Sequence, residues 1–183
     1  LGSQLLFFLL ESRLESLEKI YVIVRKKNRV SAHARVMNML NSISVPVFVQ
    51  RNKKTLLQKI EVIEAKHLLQ PDVFLQKGTR YYFIHSAGFV NLSTDPSNKT
   101  EIFAENLILT QDIFVAYKDY LYKFIYVSTA FSIGKLDGLL GNNYLDTGQS
   151  EYRNFYEASK HAAEKYLVRE GAKAKISVQI LRP

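Results

Sequence analysis

From Leu5 to Leu17 apolar residues recur at the spacing of one helix face, and Lys19 to Arg25 then reads KIYVIVR, a β-branched run of strand length. Ser31 is placed to cap a second helix running through Leu40, since its hydroxyl can accept from the orphan N–H groups of a first turn. Val45 to Gln58 fits neither period, and KIEVIEA from Lys59 returns to a strand pattern. Tyr81 to Ala87 (YYFIHSA) predicts a further buried strand, followed by a polar loop around Asp95, Pro96 and Ser97 and a helix from Lys99 to Tyr117. The alternation then repeats, with Phe124 to Thr129 (FIYVST) as strand, a loop rich in Gly and Asn, a long helix from Glu151 to Glu170, and a last strand from Ile176 to Leu181.

Apolar strands separated by helices imply a parallel sheet covered on both faces, because that arrangement buries both sides of each strand. The expected fold is α/β, a doubly wound parallel sheet, and in such sheets ligands bind beyond the carboxyl ends of the strands. Those ends are Arg25, Ala65, His85 to Gly88, Thr129, and Arg182 to Pro183.

Composition narrows the partners. With 183 residues and 47% hydrophobic content the chain can bury a sizeable core, and its length fits one domain better than two. The formal net charge of +8 suits an anionic partner, yet the 25 Lys and Arg are scattered rather than gathered into one basic run. A diphosphate cofactor or an acidic carrier would use that field, and nothing points specifically to nucleic acid. Zero cysteines exclude disulfides, thiolate metal sites and a Cys nucleophile, and fit a reducing, cytoplasmic setting. The run Leu5 to Leu10 is too short to span a bilayer, has no basic residue ahead of it, and passes directly into Glu11, so it reads as a buried helix face rather than a membrane span or signal peptide. The four histidines, His33, His67, His85 and His161, show no ligand spacing, so no metal site is expected. His85 falls at a strand end, where a cofactor would lie, and the other three read as surface residues. No Ser, His and Asp order suggests a hydrolase.

Tyr156 and Lys160 sit in YEASK, a spacing that stacks them on one helix face with Cβ atoms about 6 Å apart. A phenol of ordinary pKa near 10 is a poor acid or base at neutral pH, but a neighbouring ammonium stabilises the phenolate and draws that value down. This is chemistry suited to delivering a proton to a carbonyl. About one such pair arises by chance at this composition, and an amphipathic helix with an exposed Tyr and Lys would look the same. Ser128 and Thr129 stand at the carboxyl end of an apolar strand, where a hydroxyl faces the ligand crevice or simply caps the strand end.

A strand ending in VSTA, then a helix carrying YxxxK, then a closing strand ending in LRP resemble, in that order, the extended short-chain dehydrogenases. IHSAGFVNL and ENLILTQDIF resemble the end of that superfamily's fourth strand and its next helix, with an early Asn, here Asn106. KIYVIVRKKNRVSAHARVMNML looks most like the fatty acyl-CoA reductases of lipid metabolism and the thioester-reductase domains of carrier-linked synthases. The resemblance covers nearly the whole chain. It implies a Rossmann-like fold in which Thr129, with Ser128 beside it, meets the substrate carbonyl, Tyr156 donates the proton, and Lys160 holds both phenol and nicotinamide ribose. It also implies cofactor contacts from Gly2, Arg25, Lys26, His85, Ala87, Gly88, Asn106, Lys160 and Pro183.

Arg25 directly follows a strand where such folds meet the adenosine ribose, and a guanidinium fork there suits a 2′-phosphate. With Lys26 and Lys27 it favours NADP, though a solvated basic turn has the same composition. The chain departs from the family at three places. It opens at LGS, so that only Gly2 stands for the glycine-rich turn that approaches the pyrophosphate, and the first strand is expected to be missing. Lys66 and His67 occupy a place where relatives carry an acidic residue near the adenine. The chain stops at Pro183, before the region that forms most of the acyl pocket in relatives. The expectation is therefore an incomplete NAD(P)-binding domain over residues 1–183, without the C-terminal substrate domain. Its activity would be NADPH-dependent reduction of an acyl-CoA, or of an acyl group on a carrier protein, to aldehyde or alcohol. A sugar-nucleotide epimerase or dehydratase, a sterol-type dehydrogenase and a non-catalytic dinucleotide sensor remain open, and the sequence says nothing of oligomeric state.

Overall fold

A computed structural model of the chain describes residues 1–136 and 151–183, and the greater part of the Gly- and Asn-rich loop lies outside them. The chain falls into two compact units, residues 1–73 and 74–183.

The first unit begins with helix α1 (Gly2–Arg13), whose Leu6, Phe7 and Leu10 are buried while Phe8 is exposed. Strand β1 (Ile20–Val24) pairs in parallel with β2 (Ile60–Glu64), Val22 opposite Val62. Between them lie α2 (Ala32–Leu40), α3 (Val47–Arg51) and α4 (Lys53–Lys59). Ser31 caps α2 as expected, its Oγ accepting from the N–H of Ala34 at 3.1 Å. The segment that fitted neither period is two short helices, because Pro46 starts one and Asn52 ends it, so no single face runs through. Leu6, Phe7, Leu10, Val36, Leu40 and Val49 form the centre of this unit's core.

The second unit holds three parallel strands in the order β3 (Tyr81–His85), β4 (Leu121–Val127), β5 (Ser177–Leu181). Phe124, on the middle strand, pairs with Phe83 and Val178 and is fully buried. The β3-to-β4 connection contains α5 (Lys99–Phe103), a π-turn over Ala104–Ile108, and α6 (Leu109–Tyr117). The β4-to-β5 connection carries α7 (Phe155–Ala174), capped by Asn154, whose Oδ1 accepts from the N–H of Glu157 at 3.0 Å. That cap sets the start of α7 at Phe155 rather than Glu151. Parallel strands joined through helices give the α/β doubly wound class that the hydropathy pattern predicts and the Rossmann-like fold that the resemblance implies.

Candidate active site

Thr129 is the second residue past β4. Its Oγ1 accepts from the N–H of Phe131 at 3.3 Å and so caps a short 3₁₀ turn, Ala130–Ile133. The hydroxyl thus acts as the strand-end cap, and an accepting hydroxyl can still donate elsewhere. Ser128 donates its N–H to the carbonyl of Leu181 at 2.7 Å, and its buried Oγ finds no hydrogen-bond partner among the described residues.

Tyr156 and Lys160 lie in the first turns of α7. The phenol comes beside Thr129, whose hydroxyl acts on it, so the two groups converge at the end of β4. Burial is the larger influence and pushes the Tyr156 phenol up, while Thr129 works the other way. This reverses the direction expected from the Tyr–Lys pair. The reason is where the lysine points: its Nζ donates to the carbonyl of Val127 at 2.9 Å and rests 4.2 Å from the centre of the Tyr126 ring. Lys160 is 3% exposed, and burial pulls its ammonium down to about 8, with the carboxylate of Glu164 opposing.

Asn106 sits in the π-turn, 2% exposed. Its Oδ1 accepts from the N–H of Phe89 at 2.9 Å, and its Nδ2 donates to the Phe89 carbonyl at 3.0 Å and to Ser159 Oγ at 3.1 Å. One side chain therefore satisfies both backbone groups of a loop residue after β3 and ties that loop to α7 beside Lys160. Gly88 completes this corner: a Cβ there would stand 3.6 Å from Asn106 Oδ1 and 3.8 Å from Lys160 Nζ, so glycine keeps open the space next to the lysine. Ala87 is exposed beside it, and Pro183 accepts the N–H of Ala130 at 3.3 Å through its carbonyl.

His85 lies in the interior, 4% exposed, with Nε2 3.0 Å from Thr110 Oγ1. Since Thr110 gives its own proton to the Asn106 carbonyl at 2.6 Å, the imidazole is the donor, and burial pushes it down to about 3. Through Thr110 it supports the backbone of Asn106. His161, expected at the surface, is 3% exposed, because Nδ1 donates to the Ser132 carbonyl at 2.8 Å on the inner side of α7.

The remaining expected contacts belong to the first unit. Gly2 opens α1 and is exposed. Arg25 and Lys26 are exposed just past β1, and the Arg25 carbonyl accepts from the Arg35 guanidinium. The chain then reverses through Asn28 and Arg29, both left-handed (φ 48° and 65°). Lys66 pairs with Glu64 at 3.0 Å, and His67 Nδ1 lies 3.1 Å from Gln70 Oε1.

Sequence reasoning passed over Thr110, Tyr126, Ser159 and Glu164. The available signal was spacing, since Thr110 and Glu164 stand four residues beyond Asn106 and Lys160, one helical turn along the same face. Among the described residues no group of His, Asp and Glu could hold a metal ion, and no helix is long and apolar enough to cross a membrane.

The chain is similar in structure to the terminal R domain of the myxalamid PKS-NRPS pathway (TM-score 0.69, 24% identity, covering 96% of this chain and 44% of that one). It is also similar to the reductase domain of the aureusimine biosynthetic cluster (0.61, 20%, 96% and 44%). A third relative in structure is DesIV, a dTDP-glucose 4,6-dehydratase of Streptomyces venezuelae determined with NAD bound (0.65, 14%, 99% and 51%). The chain spans about half the length of these structures. No curated protein matches it in sequence. A family model described as male sterility protein, an NAD-binding family, matches residues 1–183, and with the parallel-strand fold above it shows that the chain belongs to the male sterility protein family of extended short-chain dehydrogenases.

Proposed function

We propose that the protein reduces an acyl thioester, on coenzyme A or on a carrier protein, with NADPH. The observation that carries this reading is the convergence of the Thr129 hydroxyl and the Tyr156 phenol at the end of β4, with the Lys160 ammonium one turn further along α7. Likeness of fold to two biosynthetic reductase domains supports it.

The residues fit a dinucleotide in two respects. Gly88 leaves room beside a buried cation, and Arg25 with Lys26 provides exposed cations directly after a strand, suited to a 2′-phosphate. Lys160 would hold the nicotinamide ribose hydroxyls, and the bound cofactor would supply hydride to the carbonyl carbon. Thr129 orients the thioester carbonyl by donating to its oxygen. Tyr156 gives that oxygen its phenolic proton as negative charge develops. Loss of thiol from the resulting hemithioacetal leaves the aldehyde.

In the protein at its full natural length, Tyr156→Phe should lower thioester turnover by about 10²–10⁴-fold while NADPH affinity stays within about twofold. Aldehyde or alcohol formation from an acyl-CoA, read alongside NADPH oxidation, is the measurement, and unchanged turnover in the variant rejects the role. The fold is shared with a sugar-nucleotide dehydratase, which favours a second reading, action on a nucleotide sugar. Turnover of a sugar nucleotide and of no thioester would select it.

A further inference from the structure

An open groove of about 830 Å³ runs along the amino ends of β3, β4 and β5, at the opposite rim of the second unit's sheet from Thr129. The length of β4 puts about 20 Å between the two rims. Four cations line the groove: Arg80 ahead of β3, Lys118 in the 3₁₀ turn before β4, Lys123 on β4, and Lys175 between α7 and β5. Asp119 is the one carboxylate among the described lining residues. The cations that have partners rest on neutral acceptors. The Arg80 guanidinium donates to the carbonyls of Asp119 at 3.1 Å and Leu121 at 3.4 Å, and Lys123 Nζ to Gln179 Oε1 at 3.1 Å, while Lys118 and Lys175 are exposed. Like charges gathered in this way repel one another, and an anion seated among them offsets the repulsion.

The same groove offers a surface to a flat ring. The rings of Tyr82 and Tyr122 lie 5.0 Å apart, inclined at 55°, and the two residues are 64% and 60% exposed. Tyr122 is the extra residue of a bulge, since Tyr81 pairs with Leu121 but Tyr82 with Lys123, and such irregularities re-aim a side chain. Lys175 holds a left-handed conformation (φ 56°) that glycine takes more readily, so a cation stands where the backbone favours no side chain. We infer that this groove is a nucleotide site, taking the base against Tyr82 and Tyr122 and two or more phosphates among Arg80, Lys118 and Lys175. Bases stack on tyrosine whatever their hydrogen-bonding edge, and phosphate oxygens accept from ammonium and guanidinium groups. A hollow of this volume is of the size that takes such a ligand. Lying at the other rim, the groove takes no part in the reductase reading, and its ligand is a free nucleotide rather than the hydride donor.

The test is calorimetry on the whole chain at low ionic strength, with adenosine diphosphate and inorganic diphosphate as probes. Lys118→Gln combined with Lys175→Gly should weaken both probes by about tenfold or more. Both residues are exposed and glycine suits position 175, so this variant should keep its fold, which its melting temperature checks. Tyr82→Ser should weaken adenosine diphosphate by about fivefold or more and leave inorganic diphosphate within about twofold. Adenosine diphosphate binding that either folded variant leaves unchanged overturns the inference, as does a parent chain that binds neither probe. Equal weakening of both probes by Tyr82→Ser also overturns it, since the ring would then make no contact with the base. Hexaglutamate bound more tightly than adenosine diphosphate, and released by the lysine substitutions, would give the groove to an acidic polypeptide instead.

Discussion

His85 carries the clearest pH consequence at the scale of one residue. Its imidazole is pushed down to about 3 in the folded chain, from an ordinary value of 6.5, chiefly by burial. Between those values the unfolded chain binds a proton that the folded one refuses, so stability is fully present above about pH 6.5 and falls as the pH drops toward 3. Urea midpoints measured across that window should decline toward acid, and His85→Phe should flatten the decline; an equal slope in the variant would show that other groups govern it. Reading the sequence placed His85 at a strand end, where β3 finishes, but not its burial against Thr110, because strand-end position says nothing of which side of the sheet a ring faces. Thr129 and Tyr156 were legible because their chemistry is written in residue type and in position relative to strand and helix. Glu164 was not, since a charge in a helix looks solvated until its partner, Arg182 just past β5, is known. The direction of the Tyr156 shift was misread for a related reason: the spacing set the lysine near the tyrosine, and only the packing showed its ammonium bound to Val127 instead.

Single positions also decide how whole elements pack. Gly171 lies on α7 where a Cβ would come 2.5 Å from Val178 Cγ2 and 3.2 Å from the carbonyl of Ile176, closer than carbon atoms pack. Gly171→Ala should therefore destabilise by about 1–3 kcal/mol through overpacking, although alanine is the better helix former by about 1 kcal/mol. Thermal or urea denaturation checks the sign, and Val178→Ala in the same chain should recover part of the loss; a stabilised Gly171→Ala would mean that α7 shifts freely on β5. The π-turn at Ala104–Ile108 was invisible in the sequence, where Lys99 to Tyr117 reads as one continuous helix. One extra residue in a turn leaves hydrophobic spacing nearly intact, yet it turns Asn106 inward to meet Phe89 and Ser159. The start of β4 was missed for a simpler reason. Lys123 broke the apolar run, but its pairing opposite Ser177 and its bond to Gln179 at 3.1 Å keep it in the sheet.

For the molecule as a whole, the alternation of helix and strand was enough to give parallel sheets, because apolar strands joined by helices have few other ways to bury both faces. The family assignment rests on the full chain, yet the structures it resembles are about twice as long. The middle strand of the second unit is its most deeply buried and also the last that local contacts can satisfy. Phe124 must find Phe83 roughly forty residues earlier and Val178 more than fifty later, separations that slow folding because loop closure precedes any reward. Until both crossovers are in place, the run FIYV is an unpaired, uncharged β-branched and aromatic segment, open to the same run in a neighbouring chain. Recovery of folded protein after dilution from urea should thus fall steeply as protein concentration rises. Light scattering during refolding measures this, and a recovery independent of concentration would show that β4 finds its partners before it meets another molecule.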